Sequence, residues 1–195
     1  MSKKAGPPQV VRESDVRRVL DRASQYRNPE RNIAMVLLSF KAGLRACEIA
    51  GLSWTMVLNT NGRIAMHADV SNGIAKYGSG RRIPLHPELR SALTSLYNSQ
   101  KRPNEGPVIR SERGGHMTAR SVVNWFRATY TELGLIGCSS HSGRRTFITR
   151  SARAITKTGG SLRDVQELAG HRALSTTERY IQGDRDAQRK LIRLI

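Results

Sequence analysis

Six side chains spread along the 195-residue sequence, Arg45, Lys76, His141, Arg144, His171 and Tyr180, form a set with one clear chemical use. Guanidinium forks match the non-bridging oxygens of a phosphodiester and stabilise the charge that builds as it is attacked. A histidine titrating near neutrality can help move the nucleophile's proton, and a lysine ammonium can protonate the leaving oxygen. A tyrosine hydroxyl is a usable nucleophile once cations surround it. Taken singly, each residue has a plainer reading: a solvated arginine, a hairpin lysine, a helix-end histidine, a packed tyrosine. Cys47, beside Arg45, reads as a small buried apolar residue. No HExxH sequence is present, so a metal-dependent mechanism is poorly supported and no metal or cofactor is expected.

The elements that must position these residues can be read from capping and periodicity. Ser14 can cap a helix with Val16, Val19, Leu20 and Ala23 on its apolar face. Asn28 followed by Pro29 starts a mostly apolar helix reaching Lys41, and Gly43 suits its end. Arg45 then opens a short helix to Ala50. The middle of the chain predicts three strands, over 63–67, 73–76 and 81–85, with Lys76 on the lip of a hairpin whose turn is Tyr77-Gly78-Ser79-Gly80. Helices resume over 88–97 and 118–133, and another begins near His141, capped by Ser139 or Ser140; His141 and Arg144 share its face. Ser161 to Asp164 and Ser175 to Glu178 match the capping-box pattern. The first opens a helix ending at Gly170, just before His171, and the second opens a helix carrying Tyr180. The expected fold is α+β, mostly α-helical, with a small three-stranded antiparallel β-sheet.

Composition narrows the partner. Lys and Arg number 33 against 15 Asp and Glu, a formal charge of +18, which on a folded domain points to a polyanion such as nucleic acid. With 38% hydrophobic residues the chain can bury a core, while 5% aromatics leaves little for base stacking. The longest apolar run, Ile33 to Phe40, falls far short of the roughly 20 residues of a membrane span. Two cysteines do not make a disulfide framework or a Cys-rich zinc site.

In order and spacing, GLRACEIAGLSW (43–54), KYGSGRRIPL (76–85), HSGRRTF (141–147) and ELAGHRALSTTERY (167–180) resemble the tyrosine recombinase, or phage integrase, family. The resemblance covers the catalytic domain over roughly residues 10–190. It implies that Arg45 and Arg144 clamp a scissile phosphate and Lys76 is the general acid on the 5′ leaving oxygen. It further implies that His141 contacts phosphate and accepts a proton, that His171 hydrogen-bonds a non-bridging oxygen, and that Tyr180 attacks to form a 3′-phosphotyrosyl link. Glu48 matches an acidic residue expected to orient Arg45 or His141. One box departs from the usual His-x-Leu-Arg-His: Gly143 and Arg145 stand where leucine and the second histidine are expected.

Residues 1–9, with Lys3, Lys4, Gly6, Pro7 and Pro8, read as a flexible basic lead-in, and on this resemblance 10–195 is a catalytic domain without the family's usual amino-terminal DNA-gripping domain. The implied partners are double-stranded DNA and further copies of the chain, as a tetramer on paired sites. The implied location is cytoplasmic and nucleoid-associated, with no membrane partner. The apolar tail Lys190 to Ile195 either folds back on its own core or docks on an adjacent protomer. Site-specific strand exchange leads; a recombinase-derived DNA-binding protein with little or no turnover, and a type IB topoisomerase, stay open at this point.

Overall fold

The structure is a computed structural model that describes residues 9–75, 78–180 and 192–193. Lys76 and Tyr77, most of the apolar tail and the lead-in before Gln9 lie outside the described residues. In chain order the helices are α1 (Glu13–Gln25), α2 (Pro29–Lys41), α3 (Ala46–Gly51), α4 (Pro87–Ser99), α5 (Ala119–Glu132), α6 (Ser142–Ala154), α7 (Leu162–Ala169) and α8 (Leu174–Glu178). Strands β1 (His67–Val70) and β2 (Arg81–Pro84) lie between α3 and α4.

The helix α2 organises the core because it is apolar nearly all round: Ala34 to Leu38 and Phe40 are all buried, and α1, α4 and α6 pack against it. Helix α1 contributes Val16, Val19 and Ala23, and α4 contributes Leu89, Leu93 and Leu96, each the face that the i, i+3, i+4 spacing selects. Helix α3 packs on α5, whose Val122, Phe126 and Tyr130 are buried. A separate small cluster of Ile148, Val165 and Ala169 ties α6 to α7, and the Tyr180 ring packs against it.

The mostly helical expectation is met, but the sheet has two strands, not three. β1 and β2 pair antiparallel with Ala68 opposite Ile83 and Val70 opposite Arg81. The expected strand over 73–76 is lost to local turns: the Ala75 amide donates to the Ser71 carbonyl, and the Asn72 side chain accepts from the Gly80 amide. The expected strand over 63–67 starts later, at His67, and Ile64 makes only an isolated bridge to Leu58.

Several caps also differ. α1 begins at Glu13 rather than behind Ser14, and Asn28 stands at the head of α2 with φ 61° while its side chain donates to Glu112. The N-cap of α6 is His141 itself, with Ser139 Oγ accepting the His141 amide. The Ser161–Asp164 capping box forms, whereas α8 starts at Leu174, so the Ser175 box does not.

Gly143 permits the approach of α6 to α2. A Cβ at this position would sit on Ser39 Oγ, 2.9 Å from Ser39 Cβ and 3.2 Å from Phe40 Cδ2. The leucine that the resembled box usually carries therefore has no room here. Gly143→Leu is expected to lower stability by about 1–3 kcal/mol or more through overpacking. Thermal unfolding should show the loss, with Gly143→Ala milder and partly recovered by Ser39→Gly; an unchanged Tm for Gly143→Leu would contradict this packing.

Candidate active site

The site starts with a buried acid. Arg45 is the N-cap of α3, and Glu48, three residues on, reaches back to accept from the Arg45 amide at 2.8 Å and from Arg45 Nη1 at 3.0 Å. Glu48 is completely buried, which would push its carboxyl up. Arg81, reaching in from β2, offsets this by donating Nη1 and Nη2 to the two Glu48 oxygens at 2.9 and 3.1 Å. With Arg45 adding to the same effect, the carboxyl ends below its ordinary range. Of the two partners expected for Glu48, the structure gives Arg45. Cys47, expected to be buried, is exposed: on this short helix the ion pair claims the inward face and turns the neighbouring side chain out.

Arg144 is held as rigidly. Nearly buried in α6, it donates Nη1 to the Gly43 carbonyl at 2.7 Å and Nη2 to the Ala169 carbonyl at 2.5 Å. Burial, then the neighbouring Arg45, pushes its pKa down to about 10, so it stays protonated at neutral pH. His141 lies exposed at the head of the same helix. Arg145, the next residue after Arg144, places its guanidinium 5.5 Å over the Tyr180 ring centroid.

The third wall comes from the end of α7. Gly170, at φ 62°, takes the left-handed conformation that stops the helix. His171 is then pinned by its amide to the Gln166 carbonyl and by its own carbonyl to Gln166 Nε2, at 3.0 and 2.9 Å. Its Nδ1 lies 2.9 Å from Thr177 Oγ1, and its ring stacks on Tyr180 with centroids 5.6 Å apart. Tyr180 stands just past α8 rather than within it. A cavity of about 230 Å³ is lined by Arg45, His141, Arg144, Arg145, His171, Thr176 and Tyr180. Five of the six residues singled out from the sequence thus meet; the sixth, Lys76, lies outside the described residues.

Burial, then Arg144, Arg45 and Arg81, lowers the His171 pKa to about 4, so the imidazole is neutral at pH 7. Between pH 6.5 and 4 the unfolded chain binds a proton here that the folded chain refuses. Stability is therefore retained above this window and lost as pH falls through it, by on the order of 1–3 kcal/mol. Denaturant unfolding at pH 7 and pH 4.5 should show a smaller acid loss for His171→Asn than for the wild-type chain. Equal losses would contradict the depressed pKa.

Sequence reasoning missed Arg81, Arg145 and Thr177 as members of this site. Arg81 had a usable signal: the period of two in Arg81-Arg82-Ile83 puts it on the same face as buried Ile83.

Residues 9–186 match the model of the phage integrase family. The chain belongs to the phage integrase family. The tyrosine recombinase XerC of Lactobacillus delbrueckii subsp. bulgaricus is 30% identical over 152 residues, 77% of this chain and 50% of that protein. XerC of Nitrobacter winogradskyi is 29% identical over 185 residues, 89% of this chain and 54% of that protein. The chain spans about half the length of these curated relatives. The crystal structure of XerA recombinase superposes with a TM-score of 0.74 at 20% identity, covering 95% of this chain and 64% of that one. A Tn1549 transposon integrase bound to circular-intermediate DNA gives 0.74 at 19% identity, covering 100% and 68%. At these identities the two structures establish the integrase catalytic fold. Among the described residues no helix is long and apolar enough to cross a membrane.

Proposed function

We propose that this integrase-family chain is a site-specific DNA recombinase that cuts and rejoins strands through a 3′-phosphotyrosyl intermediate. The observation that carries the reading is the single cavity shared by Arg45, Arg144, His171 and the Tyr180 ring. The Tyr180 oxygen attacks phosphorus, the bond to the 5′ oxygen breaks, and a 5′-hydroxyl leaves. Phosphate charge rises from one negative to nearly two during attack, and Arg45 and Arg144 neutralise it without reorganising, because buried partners already fix both guanidinium groups. Lys76 protonates the leaving oxygen, and His141 at the cavity mouth takes the tyrosine proton. His171 donates to a non-bridging oxygen through Nε2, which requires Nδ1 to accept from the Thr177 hydroxyl. The phosphotyrosyl link conserves the energy of the phosphodiester, so a second 5′-hydroxyl can reseal the strand without ATP or a metal.

The charge and the relatives support DNA as the partner. A Tn1549 integrase is in complex with a circular intermediate DNA and a lambda integrase dimer is bound to a COC′ core site, and +18 on this chain suits duplex DNA. Neutralising about six phosphates gives a slope of about −5 for log affinity against log salt. A salt titration of duplex binding checks this, and a slope near zero would contradict a backbone-driven interface. Tetramer assembly on paired sites completes the proposal. A duplex carrying a nick near the cut site, which lets the short fragment bearing the new 5′-hydroxyl diffuse away, tests the chemistry. Covalent protein–DNA adducts are expected from the whole chain, and binding without adducts would favour a DNA-binding protein that has lost turnover.

A further inference from the structure

We propose that Arg81 is a positioning residue for the strand-cleaving centre, locking Arg45, Arg144 and His171 into one geometry through a single guanidinium fork. The proposal rests on the reading of Tyr180 as the nucleophile. Besides a long hydrogen bond from Nη1 to the Ser79 carbonyl at 3.5 Å, Arg81 makes three short, directed contacts. Nη1 and Nη2 take both oxygens of Glu48, and Nε donates to the Leu168 carbonyl at 2.8 Å. The side chain is 6% exposed, so these contacts form away from water.

Each contact leads to a residue of the cavity. Glu48 holds Arg45 by its amide and its guanidinium. Leu168 precedes Ala169, whose carbonyl receives Arg144, and Gly170, whose turn delivers His171. Gly170 lies directly on Arg81: a Cβ there would stand 3.0 Å from both Cδ and Nη1 of the arginine. A buried pair serving stability alone would need only Glu48. The third contact, to the last turn of α7, joins two cavity walls, and only a planar fork can make all three at once.

The acid also gives a signature. Among the described residues Glu48 faces the cations Arg45 on α3, Arg81 on β2 and Arg144 on α6. Without the Arg81 charge, burial lifts the Glu48 carboxyl toward protonation, and a protonated Glu48 grips Arg45 less firmly.

The test measures duplex affinity and adduct formation on the nicked duplex for the wild-type chain, Arg81→Gln and the double variant Arg81→Gln with Glu48→Gln. Arg81→Gln should form adducts about 10–100 times more slowly while binding DNA within about threefold of wild type. Its rate should fall further than that of the wild type between pH 8 and pH 6, and the double variant should lose this added slope. If Arg81→Gln does not fold, Arg81→Lys, which keeps the charge but not the fork, should show the same slow cleavage at near-normal affinity. Wild-type cleavage rates in a folded Arg81 variant, or a loss of affinity equal to the loss of rate, would overturn the proposal. Absence of adducts from the wild-type chain itself would instead overturn the functional reading on which it rests.

Discussion

Tyr180→Phe is expected to abolish covalent adducts while leaving fold and DNA affinity nearly unchanged. The substitution deletes one oxygen but keeps the ring, which stacks on His171, lies under Arg145 and packs on the small α6–α7 cluster. The cations that meet phosphate remain. The other tyrosines among the described residues are poorly placed to substitute. Tyr97 and Tyr130 are buried in the main core, and burial drives the Tyr130 hydroxyl far from ionisation. The Tyr26 hydroxyl is engaged with Glu132, away from the cavity. Gel-resolved adducts on a nicked duplex provide the measurement, and adducts at wild-type yield from Tyr180→Phe would move the nucleophile elsewhere.

Arg144→Ala is the second large effect, and it acts on both chemistry and fold. Losing a preorganised donor to the transition-state phosphate costs roughly 10²–10³-fold in rate. The same change leaves the Gly43 and Ala169 carbonyls without their buried donor, a further loss of about 1–3 kcal/mol in stability. Arg144→Lys separates the two, since a lysine keeps a charge but cannot serve both carbonyls. A substrate with a 5′-bridging phosphorothiolate sharpens the comparison, because its leaving group needs no proton. Cleavage of that substrate should recover in Lys76→Ala and stay low in Arg144→Ala. Recovery in both, or in neither, would contradict the roles assigned to the two cations.

Much of the fold was legible because its signals are local. The apolar periodicity of α1, α4 and α5 and the capping box of α7 each lie within a few residues of the element they define. The sheet was less legible: Ser71 to Gly80 carries glycines and an asparagine that satisfy their backbone in turns, and alternation alone could not exclude a third strand. The candidate site was legible as a set of residue types in order, and five of them converge. What the sequence could not show is how they are held. Arg81 meets Glu48 across 33 positions and Leu168 across 87, contacts made by tertiary packing that no local pattern encodes. Cys47 turned outward for the same reason, because a distant arginine decides which face of α3 is buried.

In the proposed mechanism Tyr180 carries the DNA during strand exchange. The most direct measurement digests the adduct formed on a nicked duplex with trypsin and sequences the peptide that stays on the DNA. Cleavage after Arg179 and Arg185 leaves Tyr180 at the amino end of the peptide 180–185, the only tyrosine within it. This peptide alone is expected to be retained, joined through the tyrosine oxygen to a 3′ phosphate. Attachment through any other residue, or to a 5′ phosphate, would contradict it.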